Sequence, residues 1–245
     1  MKRLLPTGLA ALFALSNAIL SLAPPATAGT VSHATARTGS PVLRIMPLGD
    51  SITVGQGSIT GNGYRADLRD LVTDQTHYGV QFVGDQSNGT MTNPQHEGHG
   101  YYMINDVRHG VDGWLAAAQP DVVLLYIGTN DLDWGTDLDP DHAADRLKVL
   151  MDQIFTDQPE LTVVMEGLNT TTGGMQNRVA QYNNRAAELA QAEQQQGRRL
   201  VFTNGPSWET KDFADRLHPN DTGYQKMADA FFPGLQQAAA NGWLG

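Results

Sequence analysis

From Val42 onward, short aliphatic runs alternate with longer stretches whose apolar residues recur at intervals of three and four. Val42 to Pro47, Val80 to Val83, Val122 to Ile127, Leu161 to Met165 and Leu200 to Thr203 are strand-length and mostly apolar, the pattern of strands buried on both faces. Tyr64 to Thr73, Met103 to Ala118, Asp141 to Thr156 and Gln176 to Gln195 carry the period of amphipathic helices. A last helix, Tyr224 to Ala240, follows Pro219-Asn220-Asp221, where Asn220 or Asp221 supplies an N-cap. Alternating strand and helix predict a wound α/β protein, a parallel sheet with helices on both faces. Neither a fixed-period repeat nor a second compositional shift divides the chain.

The first 41 residues do not follow this pattern. A basic start, Met1-Lys2-Arg3, leads into an apolar run from Gly8 to Ala23, and Ala26-Thr27-Ala28 offers small residues for cleavage. This predicts a secretory signal peptide over 1–28 and a secreted, extracellular protein. The run is too short for a spanning helix, which needs ~20 apolar residues, so no membrane association is expected once the leader is removed. Gly29 to Pro41, rich in Thr, Ser, Ala and Gly, reads as a flexible lead-in. The folded domain is then expected over 42–245.

Composition narrows the chemistry. A 245-residue chain without cysteine has no disulfide, no thiolate metal cluster and no cysteine nucleophile. With 26 acidic against 16 basic residues, the formal charge is -10, and loss of Lys2 and Arg3 with the leader takes it to -12. Nucleic acid is an unsuitable partner for such a surface, whereas a neutral substrate is compatible with it.

Open parallel sheets collect reactive groups in the loops beyond their strands' carboxyl ends. Gly49-Asp50-Ser51-Ile52-Thr53 follows the first strand and makes Ser51 a candidate nucleophile; a serine at a helix start is otherwise simply a cap. Gly128-Thr129-Asn130-Asp131 follows the Val122 strand, where the Asn130 amide can donate to a developing oxyanion. Near the carboxyl terminus, Asp215-Arg216-Leu217-His218-Pro219 puts a carboxylate three residues before an imidazole. On a tight turn, that spacing orients one ring nitrogen and leaves the other for a serine hydroxyl.

Ser51, Asn130, Asp215 and His218, with the blocks around them, resemble the SGNH or GDSL-type hydrolase superfamily. Its pattern is Gly-Asp-Ser, then Gly-x-Asn-Asp, then Asp-x-x-His before the last helix. Ile45-Met46-Pro47-Leu48, Phe82-Val83-Gly84, His96-Glu97-Gly98-His99, Pro120-Asp121-Val122-Val123 and His218-Pro219-Asn220-Asp221-Thr222-Gly223-Tyr224 are similar to carbohydrate esterase family 3, the acetyl xylan esterase branch. The resemblance implies a three-layer α/β/α sandwich, flavodoxin-like, on a mostly five-stranded parallel sheet. It also implies a cofactor-free serine esterase, expected as a monomer, acting on acetylated polysaccharide or another ester. Ser51, Asp215 and His218 would be catalytic, with an oxyanion hole from Ser51, Asn130 and a glycine N–H. That glycine normally stands one residue later than Gly100, where this chain has Tyr101; Gly100 is the expected donor, and Tyr101 the alternative. Asp50, Tyr101, Trp134 and Trp208 are expected to meet substrate, core packing or loop anchoring being the other reading of the two tryptophans.

Other patterns fail on inspection. His96 and His99 lack a third metal ligand nearby, so no metal is expected and one of them is read as bracing the substrate loop. The acidic run Asp131, Asp133, Asp137, Asp139 and Asp141 has Thr136 and His142 where a calcium loop needs glycine and glutamate. No G-x-S-x-G surrounds any serine, so the α/β-hydrolase elbow is not supported. A lipase-like enzyme on small esters and a non-catalytic carbohydrate-binding protein are the alternative functions.

Overall fold

Five parallel strand positions form the centre of the molecule, as the alternation of apolar runs and helices requires. The computed structural model describes residues 41–133, 139–169 and 174–244. The expected leader over 1–28 and the lead-in before Pro41 lie outside the described residues, as does Trp134. Strand β1 (Val42–Gly49) pairs in parallel with β5 (Val122–Tyr126), β5 with β6 (Thr162–Glu166), and β6 with β7 (Leu200–Thr203). The other edge of β1 is shared. Its first half pairs with β2 (Gly79–Phe82), while Leu48 and Gly49 pair with β4 (Gln95–Gly98), itself antiparallel to the two-residue β3 (Gln86–Ser87).

Helices close both faces. Helices α2 (Arg65–Gln75) and α7 (Asp221–Ala240) pack together, while α3 (Ile104–Ala118), α5 (Ala143–Asp157) and α6 (Gln176–Gln195) pack as a second group. The result is the three-layer α/β/α arrangement. Every β5 residue is buried, from Val122 at 0% to Tyr126 at 1% exposure, which explains its uninterrupted apolarity: both faces are covered. Each such aliphatic side chain contributes ~1.5–3 kcal/mol on leaving water.

Strand β4 is the clearest departure from the sequence pattern. Gln95-His96-Glu97-Gly98 has no apolar rhythm, yet His96 and Glu97 are fully buried. Pairing with the end of β1, not burial of apolar area, holds it. Two short helices, α1 (Ser51–Val54) and α4 (Thr129–Asp133), likewise escape a periodicity search because four or five residues cannot display a period. Helix α7 starts at Asp221, three residues before the expected Tyr224, capped by the Asn220 side chain, which accepts from the Gly223 N–H at 3.2 Å.

Strand order reverses between β1 and β5. The chain leaves β1 toward β2 and β4 on one side, then crosses to β5 on the other. Loops after β1 and β5 therefore diverge there and open a crevice at the carboxyl end of the sheet.

Candidate active site

Gly49 sets the local geometry after β1. A side chain there would lie 2.0 Å from the Tyr126 carbonyl and 2.6 Å from the Thr53 hydroxyl, so only glycine lets β1 turn into α1 against β5. Asp50 caps that turn, accepting from the Ile52 N–H at 2.9 Å. Its carboxyl is 1% exposed, and burial, only partly opposed by the Ile52 N–H, pushes its pKa up to about 7. Asp50, expected to meet substrate, is thus buried with its side chain folded back onto the helix start.

Ser51 follows, with its Oγ 3.0 Å from His218 Nε2. His218 Nδ1 stands 2.8 Å from Asp215 Oδ2. Asp215 Oδ1 also accepts the backbone N–H groups of Leu217 and His218, at 2.7 and 2.8 Å. Burial works to raise the Asp215 pKa, but these backbone bonds and the imidazole outweigh it and leave it at about 2. The carboxylate is thus permanently ionised near neutral pH. It accepts Nδ1–H and leaves the Nε2 lone pair aimed at the serine hydroxyl.

The 215–218 turn is fixed from two directions. Phe213 and Pro219 form an antiparallel bridge, and Ala214 N–H donates to the His218 carbonyl at 2.9 Å. Arg216 reaches across to the end of α4 and grips Asp133 with its two terminal guanidinium nitrogens, at 2.7 and 2.6 Å.

Asn130, 3% exposed on α4, donates one amide hydrogen to the Tyr102 carbonyl at 2.9 Å; its second hydrogen is available to a ligand. The neighbouring Asp131 accepts the Ile104 N–H at 3.0 Å, and Arg146 Nε at 3.0 Å, tying α4 to the start of α3 and to α5.

The segment after β4 is equally anchored. His99 N–H donates to the Gly49 carbonyl at 3.0 Å, and Tyr102 N–H to the His99 carbonyl at 3.3 Å. The His99 ring is stacked between Tyr102 and Trp114, centroids 4.6 and 4.7 Å away, and its Nε2 lies 2.7 Å from Glu97 Oε1. His96 is internal: Nδ1 accepts the Gly98 N–H at 3.0 Å, Nε2 faces Asn88 Oδ1 at 3.2 Å, and burial lowers its pKa to about 3. Both histidines therefore brace the loop. Among the described residues no three His, Asp or Glu side chains assemble in a metal-binding group. Tyr101 is 71% exposed. Trp208, expected to meet substrate, is 9% exposed and edge-on to Phe213 at 5.0 Å, so its ring packs inside the protein.

Arg65 escaped sequence reasoning altogether. At the start of an amphipathic helix it resembles a solvated charge, but it is fully buried. It donates to the Thr53 carbonyl, and to those of Val54, Gly61 and Asn88 at 3.3, 3.1 and 2.8 Å. These bonds fasten the end of α1 to the loop that follows it and to the segment after β3.

Comparison with known proteins fits this arrangement. The profile of the GDSL-like Lipase/Acylhydrolase family matches residues 48–226. A multidomain esterase of Ruminococcus flavefaciens is 30% identical over 93% of this chain, and the chain spans about a third (32%) of that protein's length. Among solved structures, a family 3 carbohydrate esterase of Clostridium thermocellum superposes with a TM-score of 0.73 at 29% identity, covering 83% of this chain and 100% of that one. A family 3 carbohydrate esterase of Talaromyces cellulolyticus, 22% identical, covers 81% of this chain and 99% of its own with a TM-score of 0.67, a likeness of fold alone. The match of the family profile from the end of β1 into the start of α7, together with the fold, establishes that the chain belongs to the GDSL-like lipase/acylhydrolase family.

Proposed function

We propose that the chain is a serine esterase that removes acetyl groups from a polysaccharide of the acetyl xylan type. The observation that carries this reading is the contact chain from Ser51 Oγ through His218 to Asp215, at 3.0 and 2.8 Å. His218 Nε2 takes the proton as Ser51 Oγ attacks the acetyl carbonyl, and Asp215 balances the imidazolium. The same Nε2–H then protonates the departing sugar oxygen. Water repeats the cycle on the acetyl-serine and releases acetate. The oxyanion lies among the Ser51 N–H, the free hydrogen of the Asn130 amide and an N–H of the 99–102 turn.

A neutral polymer suits the acidic chain, and an extracellular polymer suits the expected export of residues 29–245. The likeness to a family 3 carbohydrate esterase supports acetylated carbohydrate over lipid. Ser51→Ala is expected to lose at least a thousandfold in kcat on p-nitrophenyl acetate and all acetate release from acetylated xylan. Unchanged turnover would remove Ser51 from the mechanism. Rates rising from acetate to octanoate esters, with no acetate released from xylan, would instead make the enzyme a lipase. Glycan binding without reaction toward a serine-directed phosphonate would make it a binding protein.

A further inference from the structure

Ser51 and His218 are 167 residues apart in the chain, yet their side chains meet at 3.0 Å. The anchors already described fix the shape of each turn but not the gap between the two turns. Tyr224 spans that gap. It is fully buried in the first turn of α7, and its hydroxyl lies 2.7 Å from the Gln56 carbonyl and 3.1 Å from the Ile52 carbonyl. One hydroxyl hydrogen serves both acceptors, and the shorter contact takes the larger share of it. The Gln56 N–H in turn donates to the Ser51 carbonyl at 3.1 Å. The hydroxyl of Tyr224 is thus connected through Gln56 to the backbone of the nucleophile.

Its other end is tied to the base. The Tyr224 N–H donates to the Asn220 carbonyl at 2.9 Å. Asn220, two residues after His218, is itself held by the Asp212 carbonyl at 2.9 Å and, through its amide, by the Lys211 carbonyl at 2.7 Å. The loop after α1 also packs on this turn directly. Gly57 is left-handed, with φ 92, and a side chain there would lie 2.4 Å from the Pro219 carbonyl oxygen and 3.1 Å from His218 Cβ. Two residues further on, the Ile59 N–H donates to Asp221 Oδ1 at 3.1 Å. The loop that follows the nucleophile and the segment that carries the base are therefore joined at Tyr224, at Gly57 and at Ile59.

Resting on the esterase reading above, we propose that Tyr224 is a positioning residue for the reaction: its hydroxyl, with Gly57 packed against His218, sets the distance from Ser51 Oγ to His218 Nε2. Proton transfer between these atoms needs a separation of about 2.6–3.2 Å, so the observed 3.0 Å leaves little slack. A misplacement of about 1 Å can cost a hundredfold in rate. The hydroxyl suits the task because it is a fixed donor. Burial pushes the Tyr224 pKa well above its usual range, so the hydrogen stays on the oxygen near neutral pH.

The experiment compares wild type, Tyr224→Phe, Gly57→Ala and Tyr78→Phe on p-nitrophenyl acetate, well below the melting temperature of each. Tyr78→Phe is the control for a lost buried hydroxyl: Tyr78 donates to the Leu244 carbonyl at 3.2 Å, next to Gly79 at the amino end of the sheet, and has no tie to either turn. Both phenylalanine proteins should melt about 2–6 °C below wild type. Only Tyr224→Phe is expected to lose kcat, about tenfold, with KM within about twofold. Its rate of inactivation by a serine-directed phosphonate should fall in parallel. The acid limb of its kcat/KM profile should stay within about 0.3 pH unit of wild type, because Asp215 and His218 keep each other. Gly57→Ala should lose about a hundredfold in kcat; if it does not fold, Tyr224→Phe carries the test. A Tyr224→Phe protein with wild-type kcat overturns the proposal, as does a loss confined to KM or matched by Tyr78→Phe. A displaced acid limb also overturns it, since the hydroxyl would then act on the Asp215–His218 pair. Each of these leaves the esterase reading intact, whereas a wild type inert toward p-nitrophenyl acetate removes that reading itself.

Discussion

Asp50→Asn tests whether the carboxyl under the nucleophile is held neutral. Asparagine keeps the side-chain oxygen that accepts from the Ile52 N–H and caps a helix as well as aspartate does, but it cannot ionise. The folded pKa of Asp50 is about 7 against an ordinary 3.8, and each unit corresponds to about 1.4 kcal/mol, which gives about 4 kcal/mol in all. Below pH 3.8 both folded and unfolded chains carry the proton, so the shift has no effect. Between pH 3.8 and about 7 the unfolded chain releases the proton and the folded chain retains it. Wild-type stability therefore falls as pH rises through this window, by up to about 1.4 kcal/mol per unit, and levels off above it. The asparagine protein lacks this loss. Urea unfolding at pH 4, 5.5, 7 and 8.5 should show the difference in unfolding free energy between the two proteins growing by about 4 kcal/mol from the lowest pH to the highest. Contributions from titrating groups that do not interact with Asp50 cancel in that difference. A difference that stays flat across the four pH values refutes the reasoning, because it means Asp50 ionises as easily in the fold as outside it.

Two further substitutions probe the supports of the site. Asn130→Ala removes one oxyanion donor and is expected to lower kcat on p-nitrophenyl acetate by a hundredfold to a thousandfold with KM changed only a few-fold; a loss confined to KM would place the amide on the substrate ground state instead. Arg65→Met leaves the carbonyls of Thr53, Val54, Gly61 and Asn88 without their buried donor and should destabilise the fold by about 3–5 kcal/mol in urea unfolding. A loss below about 1 kcal/mol would show that water satisfies those carbonyls as well as the guanidinium does.

The legible parts of the fold are those whose residues bury apolar area at a regular spacing. Helix α6 was expected at Gln176 to Gln195 and β7 at Leu200 to Thr203, and both run over those residues. Strand β4 was invisible because Gln95-His96-Glu97-Gly98 is held by backbone pairing and by internal partners for His96 and Glu97, neither of which leaves a periodic mark. The candidate site divides in the same way. Ser51 and Asn130 are legible because turn residues place them just beyond β1 and β5, and Asp215 and His218 because their three-residue spacing falls on one turn before α7. Arg65, Glu97 and Asp131 are not, since each has partners that come together only when distant loops close: Asn88 is 23 residues from Arg65, and Ile104 is 27 from Asp131. Asp50 and Trp208 carried chemistry suited to substrate contact, but burial at 1% and 9% gives them other surroundings.

Two local conflicts sit on either side of Ser51. Asp50 is a carboxyl driven into the interior, and Tyr101 is a bulky residue in a glycine's conformation. Elsewhere the chain agrees with its own propensities: the β5 run is apolar and buried on both faces, and α7 opens on an Asn cap. Sequences that specify one structure tend to break local rules at functional sites and to compensate nearby. Here the compensation is visible in named contacts. The Ile52 N–H meets one oxygen of Asp50, and the strained turn is tied to Gly49, Asn130, Glu97 and Trp114. Those ties do more than offset strain. They connect the loop after β4 to the loops after β1 and β5, so that Ser51 and Asn130 share one rigid frame with the turn. A site assembled in this way has little freedom to relax when one member is changed, and substitution of the frame is expected to act on kcat before it acts on stability.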